Sequence, residues 1–182
     1  MSLREAIKDL HDSVEQSPFA KLLLSGNITE EVYGDLLYNL IPIYECLESQ
    51  AIQHKLLENL EDLLRYQQIV TDYQELNPTI TESKNLRPVT LEYVNYLINL
   101  SEKNPKQLLA HIYIRHFGDL FGGQIIKKKV PGSGTMYEFN NRQELISKIR
   151  SILSEYLSEE ARVAMQYAID LFEALANEHN IQ

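Results

Sequence analysis

Apolar residues recur along most of the chain at the three- and four-residue spacing that places them on one face of an α-helix. The clearest run near the N-terminus is Leu3, Ile7, Leu10 and Val14, and a longer one extends over 33–47. Nowhere is there a convincing alternation with the period of two that marks a half-buried β-strand. The pattern therefore predicts an all-α fold.

Capping and turn residues set the boundaries of the predicted helices. Ser2 followed by Glu5 fits a capping box, Ser17-Pro18 fits a helix start, and Gly26 fits a helix end. Further helices are predicted from Thr29 with a kink at Pro42, over about 55–75 and 89–103, from Pro105 into a glycine-containing segment, and over about 142–156 and 158–178. The segments 77–88 and 130–141 are predicted to be a linker and the longest loop.

Length, charge and cysteine usage narrow the class of protein. The 182 residues suffice for one sizeable core, so we predict a single compact multi-helix domain spanning 1–182. The net charge of −9 argues against nucleic-acid binding. No apolar run approaches the roughly 20 residues that span a membrane, and the N-terminus does not resemble a signal peptide. With Cys46 as the lone cysteine, these features predict a soluble cytoplasmic protein without a membrane anchor.

The stretch "HIYIRHFGDLFGGQ" contains three of the seven glycines within six residues, 118–123. Each glycine inside a helix costs about 1 kcal/mol relative to alanine, so the cluster needs a reason. Gly118 and Gly122 are four apart and share a helix face, where a flat ligand can lie on bare backbone. Close packing of another helix is the structural alternative. Asp119 and Arg115 are also four apart beside this face, which predicts that the arginine keeps Asp119 ionised and oriented.

His11 falls between Ile7 and Val14 at helical spacing, so the pattern places it on the apolar face of the first helix. A satisfied core or boundary histidine is the commonest explanation of such a position. The functional alternative is a haem ligand, because a porphyrin supplies four nitrogens and the protein need add only one. A lone histidine cannot hold a zinc ion, which needs four ligands. Glu15, one turn further on, could accept a hydrogen bond from the other ring nitrogen.

Basic residues form three small clusters in this acidic chain. They are Lys127–Lys129 directly after the glycine segment, Arg4 with Lys8, and Lys148 with Arg150. Each cluster alone is compatible with a solvated helix face. Together with an apolar-face histidine and a glycine-opened helix that carries a carboxylate, however, they predict a haem held between two helices, with basic residues on its propionates.

Two segments, "LREAIKDLHDSVE" and "AHIYIRHFGDLFGGQIIKK", resemble the two haem-facing helices of the haem oxygenases. The second is the more specific, because that family carries a pattern close to A-H-x-Y-x-R-Y-x-G-D-L-S-G-G-Q. The resemblance covers nearly the whole chain, from Leu3 to "IDLFEAL" at 169–175. It is strongest toward the soluble cyanobacterial, algal and cyanophage members; in a viral member the protein would act in the host cytoplasm.

The resemblance implies a role for each matching residue. His11 would ligate the haem iron, with Glu15 as its hydrogen-bonded partner, and Asp119 would act through ordered water. The resemblance further implies that the haem is bordered by Gly118, Gly122 and Gly123, and that its pocket is lined by Tyr113 and Phe121. The polar network around the water would include Tyr44, Tyr93 and Arg115. The propionates would be met by Arg4, Lys8 and Arg150.

Four positions depart from the family pattern. His116 stands where a tyrosine is usual, Phe121 where a serine is usual, and Ala168 where an asparagine is common in the last helix. Ile146, one turn before Arg150, stands where a basic residue is common. We expect the phenylalanine, next to the distal glycines, to shrink or reshape the pocket. The departures affect the water network and the propionate geometry rather than the class of reaction.

The implied reaction is the oxidative cleavage of haem b, which is both substrate and cofactor, at the alpha-meso carbon. It consumes O2 and electrons and yields biliverdin IX-alpha, carbon monoxide and ferrous iron. Reduced ferredoxin is the expected electron donor, with Lys127–Lys129, Lys148 and Arg150 as its docking face, and a bilin reductase is a possible downstream partner. One alternative is a non-catalytic haem carrier or sensor of the same fold. The other is a thiaminase-like protein with Cys46 as nucleophile.

Overall fold

The computed structural model describes residues 2–76 and 85–182, and this part of the chain contains helices and turns but no strand. The all-α prediction is confirmed. The helices are α1 Leu3–Ala6, α2 Lys8–Gln16, α3 Pro18–Ser25, α4 Glu30–Gln53, α5 Tyr66–Leu76, α6 Pro88–Lys103, α7 Leu108–Ile112, α8 Gly118–Ile126, α9 Arg142–Ile152 and α10 Ser158–Glu178. A π-helical turn, Tyr113–Phe117, joins α7 to α8, and short 3₁₀ turns lie at Glu61–Leu63, Pro105–Gln107, Thr135–Tyr137 and Glu155–Leu157.

The predicted caps are present. Ser2 and Glu5 form the capping box at the start of α1, and the Ser17 and Thr29 side chains accept hydrogen bonds at the starts of α3 and α4. Gly26 ends α3 with a φ of +80°, a left-handed conformation that glycine adopts without steric cost. The long helix α4 runs through Pro42 without interruption.

The N-terminal helix breaks where the apolar pattern predicts continuity. Ile7 leaves the helical conformation with φ −107° and ψ 1°, which separates α1 from α2. Arg162 of α10 stabilises the break, because its Nη1 donates to the Ala6 carbonyl and to Asp9 Oδ1, both at 2.6 Å. Leu3 and Ile7 are buried, whereas His11 is exposed. The prediction that His11 shares their buried face is wrong, because it assumed one unbroken helix.

The prediction of a helix over about 55–75 is also wrong for its first half, which is not α-helical. The chain turns after α4 through left-handed residues at Lys55 and Asn59, and α5 begins only at Tyr66. The backbone N–H groups of Arg65 and Tyr66 donate to the Glu48 carboxylate at 2.6 and 3.2 Å, which fixes the start of α5 from α4. Of the predicted linker, 77–84 lie outside the described residues, and 85–87 have no regular structure.

Of the two C-terminal helices, one has the predicted boundaries and the other ends earlier than predicted. The last helix matches its prediction, since α10 spans Ser158–Glu178. By contrast, α9 ends at Ile152 rather than near Tyr156, because Leu153 is extended with ψ 145°. The predicted loop over 130–141 is confirmed apart from its 3₁₀ turn.

The core surrounds α4, which packs against α5, α6 and α7. Large side chains from α3, α4 and α6 are fully buried there, among them Phe19, Tyr33, Tyr44 and Tyr93. A second apolar cluster joins α1 and α2 to α7 and α10. Each buried large apolar side chain contributes about 1.5–3 kcal/mol relative to exposure. The segment that carries the glycines is thereby held against α4 and α10. Within the described ranges, no helix is both long and apolar enough to cross a membrane.

Candidate active site

The glycine segment contains a π-helical turn at Tyr113–Phe117, immediately before α8. A π-turn adds one residue to the helical turn and changes which side chains meet, and such turns often occur at functional sites. Arg115 lies inside the turn and Asp119 follows it. The four-residue spacing of these two side chains therefore does not have the meaning that it has in a regular α-helix.

The glycines have two different environments. A Cβ atom added to Gly118 or Gly122 would meet nothing within 4 Å, so both face open space. A Cβ on Gly123 would lie 2.4 Å from Tyr137 Cδ1, so Gly123 is a close-packing position. Close packing therefore accounts for Gly123 but not for Gly118 or Gly122, whose open face leaves room for a ligand. The implied place of Gly123 beside the haem needs correction, because its free face packs on Tyr137.

Apolar side chains border the open glycine face. Phe121 is 40% exposed and Ile125 61% exposed, although both are large and apolar. Phe121 contacts Phe117 with a ring-centroid distance of 4.4 Å, and Phe117 contacts Tyr113 at 5.3 Å. The Arg142 guanidinium lies 5.4 Å from the Phe121 ring centroid. One side of α8 therefore combines bare backbone with exposed apolar surface, as a flat apolar ligand requires.

Asp119 is hydrogen-bonded and has a pKa close to neutral pH. The Tyr44 O–H donates to Asp119 Oδ2 at 2.5 Å. Burial raises the pKa of Asp119 to about 6, while the Tyr44 hydrogen bond and the nearby His116, Arg115 and Arg65 oppose the rise. The side chain can thus gain or lose a proton in the physiological range.

Arg115 does not pair with Asp119 in the predicted way. Its guanidinium lies 5.2 Å from the Tyr93 ring centroid, and its Nε and Nη2 are buried without a hydrogen-bond partner among the described residues. Tyr44 rather than Arg115 hydrogen-bonds the carboxylate, and Arg115 acts on it through its charge. Buried N–H groups of this kind are usually satisfied by ordered water.

A histidine that sequence reasoning set aside continues this network. His111 is fully buried, with Tyr93 Oη 2.7 Å from Nδ1 and Glu160 Oε1 2.8 Å from Nε2. Tyr96 donates to the same carboxylate oxygen at 2.7 Å. Burial lowers the pKa of His111, which favours a neutral ring that donates from Nε2 to Glu160 and accepts at Nδ1 from Tyr93. The motif contains His111, but no local signal identifies Glu160.

A second buried histidine contacts Tyr44, the residue that hydrogen-bonds Asp119. His116 donates from Nε2 to Glu48 Oε1 at 2.8 Å, and its ring centroid is 4.9 Å from that of Tyr44. Both His116 and Glu48 are buried. From the sequence, His116 was recognised only as a departure from the family pattern, and nothing near Glu48 predicted that it pairs with His116.

His11 is exposed on α2, with 51% of its side chain accessible. Its Nδ1 lies 3.7 Å from Glu15 Oε1, which is longer than a hydrogen bond, so the implied His11–Glu15 bond is not formed. Asp12 lies beside them and pairs with Lys8 at 2.6 Å. His11 is therefore not a satisfied core histidine, and its imidazole is accessible to a ligand.

Two of the predicted propionate-binding residues act electrostatically on Tyr113. The charges of Arg4, on α1, and Arg150, on α9, lower the pKa of Tyr113, against the larger raising effect of burial. Lys8 instead pairs with Asp12.

The predicted docking face is partly neutralised. Lys127 pairs with Glu138, and Lys148 pairs with Glu144 at 2.7 Å. Lys128 and Lys129 are exposed.

Cys46 does not have the features of a catalytic nucleophile. It is half-buried, with Sγ 3.8 Å from the Val94 carbonyl oxygen. Burial raises the pKa of its thiol to about 11, which disfavours the thiolate. A thiaminase-like activity with Cys46 as nucleophile is therefore disfavoured.

Comparison with known proteins identifies the class. The family model described as "Heme oxygenase" matches residues 1–170. A haem oxygenase from Rhodella violacea is 30% identical over 155 residues, covering 78% of this chain and 66% of the relative. Among solved structures, haem oxygenase-2 from Synechocystis in complex with haem and NO is 26% identical, with a TM-score of 0.81, and 98% of this chain and 88% of that chain are covered. Haem oxygenase-1 from Synechocystis in complex with haem shares the fold at 23% identity, with a TM-score of 0.83, covering 97% of this chain and 91% of that one.

The chain belongs to the haem oxygenase family, and the resemblance inferred from its motifs is confirmed. It spans 66% of the Rhodella violacea relative, 64% of haem oxygenase 2 from Rattus norvegicus and 58% of the relative from Porphyra purpurea.

The residues present fit a haem group. Gly118 and Gly122 leave space over the α8 backbone, and His11 offers an accessible imidazole. Arg4 and Arg150 supply positive charge near Tyr113 for two carboxylates. These are the contacts that a flat apolar ring with one open axial position and an anionic edge requires.

Proposed function

We propose that this protein binds haem between α2 and α8 and degrades it oxidatively. The observation that carries the proposal is the open backbone face of Gly118 and Gly122 beside Asp119, an acid whose pKa burial raises to about 6. A haem carrier needs the open face but not the acid. Proton delivery near neutral pH is a catalytic requirement, and it favours turnover over storage.

Each side of the proposed site has a distinct task. His11 would supply the axial ligand and Arg4 with Arg150 would hold the propionates, while Phe121 and Ile125 would cover apolar surface. When bound, haem supplies the redox-active iron and the ring that is cleaved. A neutral histidine donates less electron density to iron than a thiolate does, which favours ring oxidation over the chemistry of thiolate-ligated haem enzymes.

Asp119 would hold and release the proton that the reaction consumes. Tyr44 fixes the position of the carboxyl oxygen by a 2.5 Å hydrogen bond, and the buried N–H groups of Arg115 provide donors for an ordered water beside it. The Tyr93 ring contacts the Arg115 guanidinium, and the hydrogen bond to His111 fixes the position of Tyr93. In this proposal Asp119 acts through water, with the neighbouring groups as positioning residues.

The finer chemistry follows from the family. We infer that the products are biliverdin IX-alpha, carbon monoxide and ferrous iron, with O2 as oxidant. Reduced ferredoxin is the inferred electron donor; since Lys127 and Lys148 are paired, the exposed Lys128 and Lys129 with Arg150 are the better-placed contacts for an acidic protein. A bilin reductase is the inferred downstream partner.

Single turnover of bound haem tests the proposal. The parent protein, loaded one-to-one with haem and supplied with O2 and ascorbate or reduced ferredoxin, should lose its Soret absorption and form a biliverdin band. Asp119→Ala should still bind haem but degrade it about 10²–10⁴-fold more slowly, the usual contribution of general acid catalysis. Asp170→Ala, on the outer part of α10 where Gln166 binds it, is the matched control and should behave as the parent. Haem that stays intact in the parent under these conditions would favour the carrier or sensor function.

A further inference from the structure

His116 and Glu48 form a buried pair next to Tyr44, the residue that hydrogen-bonds Asp119. His116 lies in the π-turn three residues before Asp119, and its ring lies against that of Tyr44. Its Nε2 donates to Glu48 Oε1 at 2.8 Å, and its Nδ1 is buried with no hydrogen-bond partner in the described chain. A potentially cationic ring thus lies next to the residues that hold the proposed proton donor.

The pair has its own connection to solvent. Glu48 lines an open cavity of about 620 Å³ bordered by the C-terminal half of α4, the segment 61–68 and the loop 135–140. None of the residues that line this cavity belongs to α2 or α8. This cavity therefore approaches Glu48 from residues other than those of the cleft over Gly118 and Gly122.

Other groups that act on Asp119 keep one charge state near neutral pH. Arg115, on the same segment, and Arg65, at the start of α5, are permanently cationic. Tyr33 of α4 and Tyr137 of the 3₁₀ turn are held neutral, since burial raises the pKa of each well above its ordinary value. Tyr44 is neutral for the same reason. Histidine is the residue type that changes charge between pH 5 and 8.

We propose that His116, held by Glu48, is a positioning residue that sets the protonation of Asp119 and makes haem oxidation by this protein respond to pH. The inference rests on the proposed role of Asp119 as proton donor. When His116 is protonated, its charge stabilises the Asp119 carboxylate. When it is neutral, Asp119 keeps its proton to a higher pH. The tyrosine usual at this position in the family cannot take up this charge in the same range.

The coupling is measured directly in the haem-free protein. With ¹³Cγ-labelled aspartate, the NMR titration of Asp119 is identified by its loss in Asp119→Asn. His116→Tyr and His116→Gln both retain a group that can hydrogen-bond Glu48, and neither can become cationic. In both variants the Asp119 midpoint should rise by on the order of one pH unit. His54→Gln, which removes a histidine at the C-terminal cap of α4, should leave it unchanged.

The loaded enzyme supplies the second readout. The pH profile of haem loss should move to higher pH in His116→Tyr and His116→Gln by the same amount as the Asp119 midpoint. An Asp119 midpoint that stays within about 0.2 pH units of the parent in both variants overturns the inference, and leaves His116 as a structural support for Glu48 and the start of α5. If the parent binds haem without degrading it, the proposed function fails, while the NMR titration still decides the coupling.

Discussion

Replacing Asp119 with asparagine should stabilise the haem-free protein at neutral and alkaline pH. Burial raises the Asp119 pKa from the ordinary 3.8 to about 6. Between these values the folded state binds the proton more tightly than the unfolded state does, so stability falls as pH rises through this window and stays lower above it. A shift of about two pH units corresponds to about 3 kcal/mol.

Asparagine keeps the shape of the side chain and an oxygen that can accept from Tyr44, but it never ionises. Because Asp119 keeps some solvent contact, about 3 kcal/mol is an upper limit. We expect Asp119→Asn to gain about 1–2 kcal/mol in free energy of unfolding at pH 8 and close to zero below pH 4. The same variant should lose proton delivery, so stability and haem degradation should change in opposite directions.

Urea unfolding followed by far-UV circular dichroism between about pH 2 and 8 measures the effect, with an unchanged m-value as the check on two-state behaviour. Asp9→Asn is the matched control. Arg162 lowers the pKa of the exposed Asp9 to about 2, so its ionised form is the stabilising one. Relative to the parent, Asp9→Asn should be less stable above about pH 4 and equally stable below about pH 2. Parallel pH curves for the parent and Asp119→Asn would refute the assignment of Asp119 as the buried acid.

Two further substitutions separate packing from ligand binding. Gly123→Ala should lose about 1–3 kcal/mol in chemical denaturation because its Cβ collides with Tyr137, whereas Gly122→Ala should gain up to about 1 kcal/mol and weaken haem binding in a spectral titration. Equal stability changes at the two glycines would contradict the two environments. Arg150→Ala should loosen the haem in its plane and give a mixture of biliverdin isomers by chromatography, since Arg150 supplies positive charge near Tyr113 for a propionate. A single unchanged isomer would leave the orientation to other residues.

The parts of the fold that were predictable have local causes. Ser17, Gly26 and Thr29 act within one turn of the helix ends that they fix, and the apolar spacing from 158 to 178 continues without a break. The open face of Gly118 and Gly122 followed from spacing because both lie within the regular helix α8.

The parts that were missed depend on distant partners. The break at Ile7 is held by Arg162, and the start of α5 is held by Glu48, so neither has a signal in the neighbouring sequence. Asp119 is bound by Tyr44, 75 residues away in the sequence, in place of the predicted Arg115.

The partners of the two buried histidines were invisible for the same reason. Glu160 lies 49 residues from His111, and Glu48 lies 68 residues from His116. A search for histidines in local i, i+4 pairs cannot find them, because each histidine pairs with a carboxylate of another helix.

The axial ligand of bound haem tests the central claim most directly. Resonance Raman spectra of the ferrous haem complex report the iron–histidine stretch, and they can be compared among the parent, His11→Ala and His54→Ala. We expect the stretch to be present in the parent and His54→Ala, to be lost in His11→Ala, and to be replaced by an iron–imidazole stretch when imidazole is added to that variant. An unchanged iron–histidine stretch in His11→Ala would show that another residue holds the iron, and that haem does not bind to α2 through His11.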